Sequence, residues 1–302
     1  MSTKVQVAVG GRQLSISNLD KVFYPQVAFT KAQVIDYYTN VAPAILPHLK
    51  GRALTLKRYP DGVEGPFFYE KNCPKHRPEW VHTAPIWSGR KDETMDYCVI
   101  DDLPSLIWAA NLASIELHTS LSLAKNPEQP TMMVFDLDPG PPATIKQCCV
   151  VGMMLKEMFD HLGLEAFPKT SGSKGLQVYV PLNSRATYDA TKSFSLAMAQ
   201  QLESEHRDLV VSQMKKSLRE GKVFVDWSQN DRHKTTICVY SLRARDLPTV
   251  STPLTWDEVK AHRDGKLKEL AFTADKVIKR VQRDGDLFAP VLKLKQKLPK
   301  LS

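Results

Sequence analysis

The eight residues MVFDLDPG at 133–140 constrain this chain more than any other stretch. Apolar residues alternating with acid, closed by Pro-Gly, read as a strand that buries one face and ends in a turn. Side chains two apart on a strand share a face, so Asp136 and Asp138 point the same way, with Met133, Phe135 and Leu137 toward a core. Two carboxylates roughly 7 Å apart at a strand end suit a hard divalent cation. Mg²⁺ and Mn²⁺ take oxygen ligands, commonly one or two carboxylates plus substrate phosphates. A plain strand ending in a polar turn has the same pattern, and DxD by itself does not choose.

Two further stretches add to it. In KVFVDWSQN at 222–230, Val223 and Val225 share one face, and Phe224 and Asp226 the other. An acid in so apolar a strand must be paired, protonated or bound to metal. A salt bridge to a basic neighbour satisfies it; so does a third place in a two-metal site for phosphoryl chemistry. TSGSKGLQVYVPL at 170–182 is a glycine-flanked turn feeding a strand, where Ser171, Lys174 and the amides near Gly172 and Gly175 can cradle phosphate. It lacks the spacing of a Walker A loop.

Basic residues gather near these acids: Lys215, Lys216 and Arg219 ahead of Asp226, and Arg243 and Arg245 in YSLRAR. Such runs are usually solvated surface, but they also suit a triphosphate or a nucleic-acid backbone. Aromatics stand among charges in KRYPDGVEGPFFYEK at 57–71, where Phe68 or Tyr69 can stack on a base or pack in the core. His118 in IELHTS reads by default as a satisfied core histidine, with a phosphate donor as the alternative. Cys73 and His76 have C-x-x-H spacing and His82 follows, but no second ligand pair appears, so a plain loop is expected there and not zinc.

The organisation is mixed. Thr30 caps a helix to about Leu49, with Val34, Tyr38, Val41, Ile45 and Leu46 at helical spacing. Strands are predicted over 52–59, 97–100, 131–138, 164–168, 175–182 and 222–227. Helices are predicted over 104–113, 144–162 and 186–205, and mostly helix after Pro253. The residues from about 291 to 302, with Lys293, Lys295, Lys297 and Lys300, read as a solvated basic tail. Interspersed strands and helices give an α/β or α+β class, taken as one domain over 1–302. The 302 residues carry a formal charge of +8, which invites a polyanion without naming one. Apolar residues at 42% exclude general disorder. There is no run of about 18 apolar residues for a membrane span and no apolar leader at the start. Five cysteines at irregular spacing, Cys73, Cys98, Cys148, Cys149 and Cys238, do not look like a disulfide framework, so reduced thiols and a cytoplasmic location are expected.

The ordered set GRALTLKRYPDGV (51–63), FFYEK (67–71), VFDLDPG (134–140), SGSKGLQVYVPL (171–182), KSLREGKVFVDW (216–227) and YSLRAR (240–245) resembles the polymerase domain of bacterial DNA ligase D, of the archaeo-eukaryotic primase superfamily. The resemblance runs from NLDKVFYP at 18–25 to RDGDLF at 283–288, with no ligase or nuclease segment after it, so a stand-alone polymerase or an excised domain is expected. It implies a primase-like core with an RRM-like sheet and an added N-terminal α/β layer. It implies template-directed addition of nucleoside triphosphates, often ribonucleotides, with Mn²⁺ or Mg²⁺, during end joining. It also implies, as partners, gapped or nicked DNA with a 5′-phosphate, a separately encoded ligase and Ku, at the nucleoid and without a membrane.

Residue by residue, the resemblance implies that Asp136, Asp138 and Asp226 are the catalytic metal triad. Ser171, Lys174, His118 and Arg243 match nucleotide-contacting positions, as do Gln229 and Arg245, and Lys57, Phe68 and Tyr69 fall in the nucleotide and template-stacking region. Asn18, Lys21 and Lys31 match a pocket for a downstream 5′-phosphate. Lys216 and Arg219 match a mobile loop that seats the primer end. The family motif SGxKGxH reads Gln177 here, which implies weaker phosphate binding because glutamine carries no charge. Two rival readings are a haloacid-dehalogenase-like phosphatase, with Asp136 as nucleophile, and a DNA-end-binding factor without turnover.

Overall fold

A computed structural model describes residues 4–88 and 92–299. Contacts gather the chain into two compact units, between which it passes back and forth: 4–88, 92–120, 235–251 and 272–286 in the first, and 121–234, 252–271 and 287–299 in the second.

The first unit opens with a hairpin of β1 (Lys4–Val9) and β2 (Arg12–Ser17). Gly10 and Gly11 both take positive φ at its turn, as a two-residue hairpin of this twist requires. The sequence reading passed over it. β3 (Val22–Tyr24) and β4 (Phe29–Thr30) lead into α1 (Lys31–Leu49). Thr30 and Gln33 close a capping box there, and Val34, Tyr38, Val41 and Ile45 are buried as their spacing predicts. Then come β5 (Leu54–Arg58), β6 (Phe68–Glu70), β7 (His82–Ser88), β8 (Glu93–Val99), α2 (Leu103–Asn111) and β9 (Ser114–Thr119). Nearly every residue of β9 is buried, so no alternation betrays it in the sequence.

The second unit is built on β10 (Met132–Pro139), with α3 (Ile145–His161), β11 (Phe167–Thr170), β12 (Leu176–Pro181), α4 (Tyr188–Glu205), β13 (Val210–Val211) and β14 (Val223–Asp226). β15 (Thr236–Ile237) returns to the first unit and completes its sheet, β15-β9-β5-β8-β7, with β6 also paired to β5. Of the last helices, α5 (Trp256–Arg263) and α7 (Pro290–Lys293) belong to the second unit and α6 (Ala274–Asp284) to the first.

The second unit's sheet runs β11-β12-β10-β14-β13, with β10 antiparallel to both neighbours. Phe135 meets Phe159 of α3 edge-on, and Gly152 of α3 lies against Leu176 and Leu137. The helix thus covers the apolar face of β10, and Asp136 and Asp138 take the other. Truncating a core side chain such as Leu137 to alanine costs about 2–5 kcal/mol. β11 begins at Phe167, not near 164, because its pairing with β12 runs from Phe167 to Thr170.

Two expectations need correction. Cys73 and Cys98 form a disulfide; Cys148, Cys149 and Cys238 are free and buried. The loop holding Cys73 hydrogen-bonds along β8, through Cys73 N to Asp96 O and Asp96 N to the Asn72 side chain, and this brings the two sulfurs together. The tail is also not simply solvated. Asn183 donates to the carbonyls of Val291 and Leu294, and Gln296 bonds Leu182, Pro181 and Glu165. Lys293, Lys295 and Lys297 do stay exposed, while Lys300 lies outside the described residues. Among the described residues, no helix is long and apolar enough to cross a membrane.

Candidate active site

The acids of the second unit come together by strand register. Asp136 stands directly opposite Asp226 of β14, and Asp138, two residues on, shares that face opposite Phe224. Asp226 is buried and firmly held: Oδ1 accepts from the amide and hydroxyl of Ser228 at 3.0 and 2.5 Å, and Oδ2 from Gln229 Nε2 at 2.9 Å. Gln229 is therefore an orienting partner of Asp226. Burial, reinforced by the charges of Asp138 and Asp226, pushes Asp136 up to about 7, against a hydrogen bond from Gln177 and the charge of Lys169. One oxygen, Asp136 Oδ1, is buried and makes no hydrogen bond.

Two loops flank the end of β10. Ser171 Oγ accepts from the amides of Ser173 and Gly175, closing the tight turn that exposes Lys174. A Cβ on Gly175 would meet Leu137 O at 2.3 Å and stand 3.5 Å from Asp138 Oδ1, so glycine lets this loop lie against the acids. On the other side, a Cβ on Gly140 would meet Arg219 O at 1.8 Å. The Arg219 guanidinium covers the Phe224 ring at 3.7 Å and donates to Met214 O, while Lys216 is exposed in the turn before it.

Does a divalent cation fit here? Among the described residues, no three His, Cys, Asp or Glu side chains form a finished metal cluster. The donor chemistry does fit, since carboxylate oxygens share one face and one of them is buried without a donor. Divalent ions of this kind commonly complete their shell with phosphate oxygens and water.

Gln177 departs from the expected picture. It is 3% exposed, and its Oε1 accepts from Lys169 Nζ at 2.5 Å. Its surroundings are thus a buried lysine and Asp136, and the reading of Gln177 as a weakened phosphate contact loses its geometric ground.

In the first unit the arrangement is inverted. Glu116 of β9 is 1% exposed and stands opposite Lys57, which stands opposite Tyr69. His118 Nε2 lies 2.9 Å from Glu116, Arg243 Nε 3.3 Å and Lys57 Nζ 3.7 Å, and the Ala244 amide donates to it at 3.1 Å. Burial opposes the charged form, but the His118 hydrogen bond and the neighbouring positive charges outweigh it and hold Glu116 down to about 2. Burial in turn lowers His118, favouring its neutral form. The sequence reading missed Glu116; its spacing of two from His118 in IELHTS is the signal that could have found it.

Lys57 also faces the rings of Phe67, Tyr59 and Tyr69 at 4.1, 5.2 and 5.4 Å. Phe68 points to the other face, with Arg58 stacked on it at 5.1 Å. Phe67, which is half exposed, is thus the ring that joins Tyr69 beside Lys57. Arg245 is exposed, and its charge bears on Lys57.

The 5′-phosphate candidates are partly engaged. Lys21 pairs with Asp61 at 2.7 Å, and the nearly buried Lys31 donates to Ser17 O at 2.6 Å. Burial, then the charges of Lys21 and Arg58, lower Lys31 to about 8. Asn18 is exposed beside them in sequence, with φ 55°. Cys73 is consumed by its disulfide, which removes the zinc alternative.

Acids gathered on a sheet face beside a glycine-rich loop, in a mixed α/β chain with a separate basic and aromatic cluster, fit an enzyme of the primase-polymerase class, and the comparisons with known proteins assign it there. A family model described as the LigD primase-polymerase domain matches residues 30–288. The chain is 42% identical over 281 residues to the multifunctional non-homologous end joining protein LigD of Mycolicibacterium smegmatis, covering 92% of this chain and 36% of that protein. It is 32% identical over 274 residues to the bifunctional LigD of Bacillus subtilis, covering 90% and 43%. The polymerase domain of Mycobacterium tuberculosis ligase D, solved in complex with DNA, matches with a TM-score of 0.87 at 38% identity, over 94% of this chain and 99% of that one. The chain belongs to the LigD primase-polymerase family, and spans less than half the length of the curated relatives it matches. That membership displaces the phosphatase reading of FDLDPG.

Proposed function

We propose that this chain adds nucleotides to primer ends and fills gaps at DNA ends during non-homologous end joining, as a template-directed, metal-dependent nucleotidyltransferase favouring ribonucleotides. Its two interleaved units work as one catalytic domain. The observation that carries this reading is the pairing of Asp136 with Asp226 across β10 and β14, with Asp138 on the same face.

Asp136, Asp138 and Asp226 hold Mn²⁺ or Mg²⁺. When bound, such a cation supplies positive charge for the primer hydroxyl and the departing pyrophosphate. Ser228 and Gln229 fix Asp226, so its carboxylate is oriented before substrate arrives. Ser171, Lys174 and the turn amides bind phosphate, with Lys174 as a mobile point charge. Lys216 and Arg219 seat the primer strand. Lys57, Arg243 and Arg245 take polyanion, with His118 turning its one N–H from Glu116 to the phosphate, and Phe67 and Tyr69 stack on bases. Asn18, Lys21 and Lys31 receive a downstream 5′-phosphate, Lys21 exchanging Asp61 for it. The enzyme acts at the nucleoid in the cytoplasm, with a ligase and Ku as partners.

Primer extension on gapped DNA with a 5′-phosphate, using rNTPs or dNTPs with Mn²⁺ or Mg²⁺, tests this. Templated addition is expected, strongest with rNTPs and Mn²⁺, and absent after Asp136→Ala. DNA binding without any incorporation overturns the reading and favours an end-binding factor.

A further inference from the structure

One row of polar side chains crosses the second unit's sheet. Register places Lys169 of β11 opposite Gln177 of β12, Gln177 opposite Asp136 of β10, and Asp136 opposite Asp226 of β14. Directly opposed side chains share a face and stand about 5 Å apart. Lys169 is 1% exposed, so it touches no nucleotide from where it sits, yet it lies in line with the acids.

The chemistry along the row is directional. A glutamine amide has one acceptor end and one donor end. Lys169 Nζ donates to Gln177 Oε1, which leaves the amide N–H groups for Asp136, the next side chain along the row and one whose charged form Gln177 favours. With the amide turned the other way, its oxygen would face a carboxylate and Lys169 would face N–H groups, two repulsive contacts in place of two attractive ones. Asp136 Oδ1 meanwhile stays buried without a partner.

We propose that Lys169 is a positioning residue for Asp136, acting through Gln177: it fixes the orientation of the Gln177 amide, which holds the carboxylate with Oδ1 open to a divalent cation. This rests on the metal-site reading above and deepens it. Partners behind a metal ligand orient it, and losing one costs typically about 10–100-fold in metal affinity or activity. The inference has a distinctive sign. As a bare charge, Lys169 repels a divalent cation, and removing it tightens binding. As a positioning group it does the reverse.

The test uses the full chain without DNA or nucleotide, and Mn²⁺ alone, with free Mn²⁺ read by electron paramagnetic resonance and folding by thermal melts. Gln177→Leu is expected to weaken Mn²⁺ binding about tenfold. Lys169→Met, an apolar match in length, is expected to weaken it by about fivefold or more. In the Gln177→Leu background, Lys169→Met is expected to change it by less than about twofold, since the relay is already cut. If Gln177→Leu fails to fold, Gln177→His replaces it. A neutral imidazole can accept from Lys169 and donate to Asp136, so Lys169→Met must weaken Mn²⁺ binding in that background too. In primer extension, Lys169→Met lowers kcat and leaves the nucleotide KM within about twofold, as expected for a group that acts on the acids and not on the substrate.

Tighter Mn²⁺ binding by Lys169→Met, or no change, overturns the inference, as does a raised KM at constant kcat. Wild-type binding that Asp138→Ala abolishes but Lys169→Met leaves alone sinks the inference and spares the metal site. No Mn²⁺ binding by the wild type removes both.

Discussion

Each unit carries a polar row across its sheet, and the two are opposites. In the second unit, three carboxylates gather and a buried lysine, Lys169, stands in line with them beyond Gln177, to which it donates. In the first, one buried carboxylate, Glu116, sits among Lys57, Arg243 and His118. The same functional group, a carboxyl, is driven in opposite directions. Asp136 rises to about 7 under burial and like charge, while Glu116 falls to about 2 because opposite charge outweighs burial. One row concentrates negative charge; the other keeps positive charge, with Arg245 exposed beside it. The proposed nucleotidyl transfer would draw on both, a cation on the acids and an anion on the basic cluster.

The largest break of this comparison is loss of a carboxylate from the acid row. Asp136→Ala or Asp138→Ala is expected to abolish nucleotide addition while DNA binding, carried by lysines and arginines, survives in a mobility-shift assay. Near-normal extension by both variants ends the metal-site assignment. Next in size is Glu116→Ala, which strands buried positive charge at a cost of about 3–5 kcal/mol in urea unfolding at pH 7. Glu116 is depressed in the folded state. Its stabilisation is therefore present above the usual glutamate value near 4.5 and is lost as pH falls toward 2, and the penalty of the variant shrinks over that window.

Asp136 predicts the opposite slope. Its folded value lies above the usual 3.8, so the cation-free protein loses stability as pH rises from about 4 through 7. Asp136→Asn is expected to melt a few degrees above wild type at pH 8 and level with it at pH 4, and added Mn²⁺ to raise the melting point of the wild type alone. Equal melting points at both pH values would remove the electrostatic contrast between the rows.

A smaller effect is expected away from both rows. Lys31→Met with Lys21→Ala should cut the preference for a 5′-phosphate over a 5′-hydroxyl end by about tenfold at low salt, shrinking as salt screens the contact. Lys31 is lowered to about 8, so the wild-type preference should also fade as pH rises past 8 and the ammonium deprotonates. A preference flat from pH 7 to 9.5 clears Lys31 of the role. The smallest change is expected for Gln177→His. A charged imidazole next to the buried Lys169 ammonium is disfavoured, so the apparent nucleotide KM should shift by less than about threefold at both pH 6 and pH 8. A clear drop in KM confined to pH 6 restores the phosphate-contact reading of that position.

What could be read along the chain was whatever the backbone period carries. Alternation in MVFDLDPG puts Asp136 and Asp138 on one face, Phe224 and Asp226 share theirs for the same reason, and Thr30 with Gln33 marks the start of α1. These relations span a few residues and follow from geometry that every strand or helix has. The ordered motifs were specific enough to point to the right family.

Tertiary structure alone decided the rest, because a pairing register is a choice made between distant segments, and a slip of one residue turns every side chain to the other face. Lys169, Gln177, Asp136 and Asp226 become a row only once four strands align. Glu116 looked like one acid in an apolar stretch until Lys57 and Arg243 arrived from either side of the sequence. Cys73 and Cys98 were unrelated thiols until a loop bonded along β8. In each case the sequence supplied the chemical groups, and long-range packing chose which of them would meet.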